Sequence, residues 1–115
     1  MKARLPQGMG GGPQNMNAML KQAQKMQDDI SLLQADIETR EFSASVGGGA
    51  VDIKINGKRN VVALNIKPEV VDPEDVEMLQ DLIMSAFNEA VRVLDETSEA
   101  EMQKLTGGVS IPGLF

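Results

Sequence analysis

Five basic residues carry most of the chemistry this sequence offers: Lys21, Lys25, Lys54, Lys58 and Arg59. Lys21 and Lys25 are spaced i, i+4, which places both on one face of a helix. Lys58 and Arg59 follow Asn56-Gly57, and Lys54 stands just before it. A hairpin turning at Asn56-Gly57 would gather those three cations at one solvent-exposed corner. Ammonium and guanidinium groups so placed can contact phosphate without any aromatic partner. The same charges on an ordinary surface serve solubility alone.

Other chemistries are poorly supplied. The chain contains no histidine, cysteine, tryptophan or tyrosine, and three phenylalanines. Thiol and imidazole chemistry, disulfides, and zinc or haem sites of the usual ligand types are therefore excluded. Ser43, Ser45, Ser85 and Ser98 have no imidazole to activate them, so neither an enzyme nor a cofactor site is expected. Gly47-Gly48-Gly49 is not followed by the Gly-Lys-Ser/Thr of a phosphate loop, and a strand rather than a helix comes next. It reads as a hairpin turn or bulge. Three phenylalanines make no stacking platform for single-stranded nucleic acid. No apolar run approaches the ~20 residues of a membrane span, and no signal-peptide core follows Met1–Leu5. A soluble intracellular protein is expected.

Charge is unevenly distributed along the chain. The formal net charge is −6. Residues 1–27 contain Lys2, Arg4, Lys21 and Lys25 and no acid. From Ala50 to Lys67 four bases face the single acid Asp52, whereas Glu69 to Glu101 holds eleven acids and only Arg92. Such polarity bears on partners rather than on fold. The acids read as a solvated helix face, because metal or paired-acid roles require buried carboxylates.

The 115 residues fit one domain. Residues 1–14, with four glycines and two prolines, read as a disordered tail, and residues 15–115 as a single folded unit. Met16, Met19, Ala23, Met26, Ile30, Leu33 and Ile37 recur at alternating intervals of three and four. That a/d seam predicts a helix from about residue 16 to 38, packed against another helix of its own chain or of a second subunit. Strands are predicted over Glu41–Val46, Ala50–Ile55 and Lys58–Lys67, joined at the triple glycine and at a two-residue Asn56-Gly57 turn. On the third strand Val62, Leu64 and Ile66 should share one face. Asp72-Pro73-Glu74-Asp75 predicts a helix start with Asp72 as cap and Pro73 in the first turn. Val76, Leu79, Ile83, Phe87, Ala90 and Leu94 continue it, and Gly107-Gly108 stops it. The apolar end Val109–Phe115 is expected to dock on the body.

Helix lengths then constrain assembly. At 1.5 Å per residue the first helix spans ~34 Å and the second ~50 Å, against a diameter near 35 Å for a compact domain of this length. Three short strands cannot cover both, and two sheet edges are left open. The expected architecture is α+β, in the order α-β-β-β-α. It has a three-stranded antiparallel sheet flanked by two long helices, parts of which must project or pack on a partner, so a monomer fits poorly and a homodimer is expected.

Several segments, in order, resemble the YbaB/EbfC family of bacterial nucleoid-associated proteins. They are Asn15-Met16-Asn17-Ala18-Met19-Leu20-Lys21-Gln22-Ala23-Gln24-Lys25-Met26-Gln27, the run from Gly47 through Ala50-Val51-Asp52-Ile53-Lys54-Ile55-Asn56 to Gly57, and Val71-Asp72-Pro73-Glu74-Asp75. Met78-Leu79-Gln80-Asp81-Leu82, Ala86-Phe87-Asn88-Glu89-Ala90 and Ile111-Pro112-Gly113-Leu114-Phe115 complete the set. The resemblance covers about residues 15–115. It implies a small cytoplasmic homodimer of the nucleoid that binds duplex DNA and influences nucleoid organisation and gene expression, with recombination or replication proteins as further partners. The first helix departs from the usual pattern in turning acidic at Asp28 and Asp29, and the last in offering only Arg92 at Ala90–Leu94. The family has no DNA-contact signature to transfer position by position, so the DNA-binding set Lys21, Lys25, Lys54, Lys58 and Arg59 rests on charge. An acidic adaptor for recombination or replication factors, with little DNA affinity of its own, is the competing reading.

Overall fold

The computed structural model describes residues 12–107. The tail up to residue 11 and the C-terminal segment 108–115 lie outside the described residues. The order is α1 (Gly12–Thr39), β1 (Glu41–Val46), β2 (Val51–Asn56), β3 (Val61–Ile66) and α2 (Val76–Thr106), with one 3-10 turn at Pro68–Val70. This is the expected α-β-β-β-α sequence of elements. The strands form one antiparallel sheet in the order β1-β2-β3. α1 begins at Gly12, ahead of the expected start near Met16. Pro13 is accommodated because first-turn N–H groups have no intrahelical acceptor.

The core lies between α2 and one face of the sheet. Val51, Ile53 and Ile55 point inward from β2, and Phe42 from β1, to meet Ala86, Ala90 and Leu94 on α2 and Ile37 at the end of α1. Ala86 and Ala90, one turn apart and fully buried, let the α2 backbone approach the sheet closely. The triple glycine joins β1 to β2 with φ angles of 64°, 68° and 93°, values that residues with a Cβ rarely adopt. It is the hairpin connection expected from the sequence.

α2 lies across β1 and β2. On β3, Val61, Val62 and Leu64 remain 50%, 46% and 43% exposed. A register shift opposite Lys54 and Ile55 places Val61, rather than the expected Val62, against the core-facing Ile55; Leu64 and Ile66 keep their places beside Ile53 and Val51. The bulge adds a residue to one strand, so every side chain beyond it changes face.

The start of α2 differs from expectation by one turn. Asp72 accepts the Glu74 N–H on its side chain, and its carbonyl accepts the Asp75 N–H. Residues 72–75 are therefore a turn with Pro73 in its second position. Asp75 is the true cap and accepts the Met78 N–H at 3.2 Å.

The body is elongated, 87 × 20 × 17 Å, with a radius of gyration of 23.6 Å. A compact domain of similar length has ~13 Å. α1 is responsible: Ile37 is buried and Ile30 and Leu33 half-buried, but Met16, Met19 and Leu20 at its other end are exposed. The heptad seam is covered along its C-terminal half and bare beyond. Arg40, directly after α1, fixes the base of this arm. Its guanidinium donates to both carboxylate oxygens of Glu101 on α2, at 2.5 and 2.7 Å, and to Asp36 on α1. The hydrogen bonds from Arg40 hold the Glu101 carboxyl below its ordinary pKa. The tie is therefore complete above the ordinary glutamate range and is lost as pH falls through the lowered value.

Candidate nucleic-acid interface

The β2–β3 loop is built by Asn56. Its side-chain oxygen accepts the N–H groups of Lys58 and Asn60, at 2.9 and 3.1 Å, while its backbone pairs with Asn60 and accepts from Arg59. The result is a three-residue loop, Gly57-Lys58-Arg59, closed by Arg59 at φ 68°. The expected two-residue Asn56-Gly57 turn is therefore not formed. Asx hydrogen bonding by Asn56 favours the longer loop, and the left-handed position passes to Arg59.

Gly57 matters for proximity instead of a positive φ. A Cβ built there would run into the Ile37 carbonyl oxygen and stand 2.6 Å from the Glu38 Cα. The loop thus rests directly on the last turn of α1. This contact sets Lys58 and Arg59, both exposed, at the foot of the projecting arm. Lys25 and Lys21 are also exposed and lie ~18 and ~24 Å from Ile37 along the helix axis. These four cations are spread between the loop and the arm, with Lys21 and Lys25 on a face of α1 turned away from the one that the loop touches. Lys54 is half-buried on the outer, helix-free face of the sheet, bordered by Ser43, Ala63 and Asn65.

Three of the five cations already have anionic partners. Lys25 pairs with Asp29 at 3.2 Å, Lys54 with Glu41 at 3.4 Å, and Arg59 with Asp95 at 2.6 Å. Lys21 and Lys58 have no ion pair among the described residues. Reasoning from charge alone passes over these carboxylate partners. Asp29 is accessible in the sequence, being one helical turn from Lys25, and Glu41 follows from the strand register. Asp95, 36 residues from Arg59 and on another element, leaves no local signal.

Residues 11–109 match the sequence profile of the YbaB/EbfC DNA-binding family. The chain belongs to that family. Several YbaB/EbfC relatives are close in sequence. A nucleoid-associated protein of Alkaliphilus metalliredigens is 61% identical over 108 residues, 94% of each chain. One of Clostridium acetobutylicum is 58% identical over 107 residues, 93% of this chain and 94% of its own. The crystal structure of an uncharacterised protein from Helicobacter pylori is 24% identical, with a TM-score of 0.61 over 79% of this chain and 92% of that one. That likeness concerns the fold alone. Within it, no helix among the described residues is long and apolar enough to cross a membrane, and no cluster of carboxylates among them is arranged to hold a metal ion.

Proposed function

We propose that this YbaB/EbfC member is a cytoplasmic, non-enzymatic protein of the nucleoid. It binds duplex DNA as a homodimer, with little regard to sequence, and thereby affects nucleoid organisation and gene expression. Lys21, Lys25, Lys54, Lys58 and Arg59 make the phosphate contacts. The observation that carries this reading is the exposure of Lys58 and Arg59 on the β2–β3 loop and of Lys21 and Lys25 on the projecting α1 arm. Surface lysine and arginine hold phosphate without reading bases, and phosphate contacts of this kind carry no sequence information. The test compares two unrelated duplexes of equal length in one buffer. Affinities within a few-fold are expected; a preference of a hundredfold or more contradicts sequence tolerance.

The exposed side of β3 supports the dimer. Val61, Val62 and Leu64 stand open on an edge strand, next to a backbone edge with no neighbour among the described residues. Bare apolar edges invite pairing with another chain, and a second copy satisfies both features at once. Leu64 is 43% exposed in the protomer, so Leu64→Asp should leave the fold intact and separate the subunits. Sedimentation equilibrium is expected to give a dimer for the unaltered protein at tens of micromolar and a 12.4 kDa monomer for the variant. A 12.4 kDa species for the unaltered protein would contradict the assembly.

A further inference from the structure

We propose that Asp95 is a built-in competitor for DNA phosphate at Arg59, and so sets how tightly the β2–β3 loop engages a duplex. The inference rests on the DNA-binding reading above and deepens it. Arg59 is the only arginine of the expected contact set, and its terminal nitrogen lies 2.6 Å from an Asp95 carboxylate oxygen. The pair is not a chance meeting of two flexible chains. Asp95 sits on the third α2 turn after the buried Ala86, beside the fully packed Leu94. Arg59 is held from the other side by the Asn56 hydrogen bonds and by the Gly57 contact with α1. Its left-handed backbone fixes the direction from which the side chain leaves the loop.

The neighbouring acids on α2 are already answered. Arg92 bridges Glu89 and Glu96 on α2, and of the two carboxylates beside the loop, Glu38 and Asp95, it is Asp95 that Arg59 bonds. A carboxylate oxygen occupies the kind of position a phosphate oxygen needs on a guanidinium. Both side chains remain about half exposed, 52% for Arg59 and 57% for Asp95, so phosphate can reach the pair and exchange with the carboxylate. After exchange Asp95 is left beside a phosphate of like charge. It must recover a counterion from solution, which lessens net ion release on binding. The Lys25–Asp29 and Lys54–Glu41 pairs are longer and rest on flexible lysine stems, so they compete less.

The experiment is a salt titration of duplex binding by the full-length protein, Asp95→Asn, Arg59→Gln and the double variant, with thermal melts confirming the fold. Asp95→Asn is expected to bind about two- to fivefold tighter, with a salt slope steeper by up to roughly one unit per chain. In the Arg59→Gln background the same substitution should gain little. An equal gain in both backgrounds would show a general charge effect and overturn the proposal. Unchanged affinity and slope in Asp95→Asn, with the unaltered protein binding, would overturn it while leaving the DNA reading standing. No duplex binding by any of the four proteins at low salt would overturn both.

Discussion

Gly57→Ala is expected to destabilise the protein by about 3 kcal/mol, at the upper end of what added volume costs in a packed site. The reason is that the added methyl meets backbone instead of movable side chain. Its nearest atoms are the Ile37 carbonyl oxygen and, at 2.6 Å, the Glu38 Cα, both in the last turn of α1. Neither can yield without moving the arm or the loop. Ile37 is buried with Phe42, Ile55 and Leu94, so displacing the arm opens the core as well. For a domain of this size the loss corresponds to a fall in Tm of roughly 12–24 °C. Calorimetry or a denaturant melt checks it, and a loss below about 1 kcal/mol would show that loop and helix are not in rigid contact. Gly48, with no neighbour within 4 Å of an added Cβ, provides a contrast in which only backbone strain at φ 68° is introduced.

The second large effect concerns the exposed cations of loop and arm. Lys58→Glu/Arg59→Glu and, separately, Lys21→Glu/Lys25→Glu should each weaken duplex binding at least tenfold at low salt while leaving the fold in place. These side chains are exposed and make no contribution to the core. Every phosphate that the protein no longer neutralises lowers the magnitude of the salt slope by roughly one, so a double substitution in a dimer removes up to about four units. The loop pair should also release Asp95 from Arg59, adding a free carboxylate at the same spot. Its effect is therefore expected to exceed that of the arm pair. Unchanged affinity and slope in both variants, with intact melts, would show that phosphate is held elsewhere.

Much of the fold was legible because local rules and tertiary demands agreed. The three-four spacing from Met16 to Ile37 marks a helix whichever part of it is buried. Alternation in Val51-Asp52-Ile53-Lys54-Ile55 sets the core face of β2, and the triple glycine separates it from β1. What escaped were decisions made by single side chains. Asn56 accepts two backbone N–H groups and so lengthens the hairpin loop. Asp75 takes the capping role while Asp72 closes a preceding turn, though both residues suit either place. The β3 bulge exchanges Val61 and Val62 between two equally apolar positions, which no hydrophobic pattern distinguishes. The candidate site rests on charge alone, and its cations lie on the β2–β3 loop, the α1 arm and the outer face of β2. The pairing of Arg59 with Asp95 depends on α2 crossing the sheet at one particular height, which no local sequence feature encodes.

Local potential decides whether a chain of net charge −6 can hold a polyanion, since charges beyond a Debye length of ~8 Å are largely screened at physiological salt. Arg92 neutralises part of the acidic helix, and the exposed arm carries Lys21 well away from the rest of it. The most direct measurement is the affinity of the unaltered protein for a duplex of arbitrary sequence, followed from low to physiological salt. The account predicts clear binding at low salt and a linear fall of log K with log salt, at a slope shared by unrelated duplexes. Absence of duplex binding even at the lowest salt would contradict it, and would leave a protein that acts through other proteins instead of DNA.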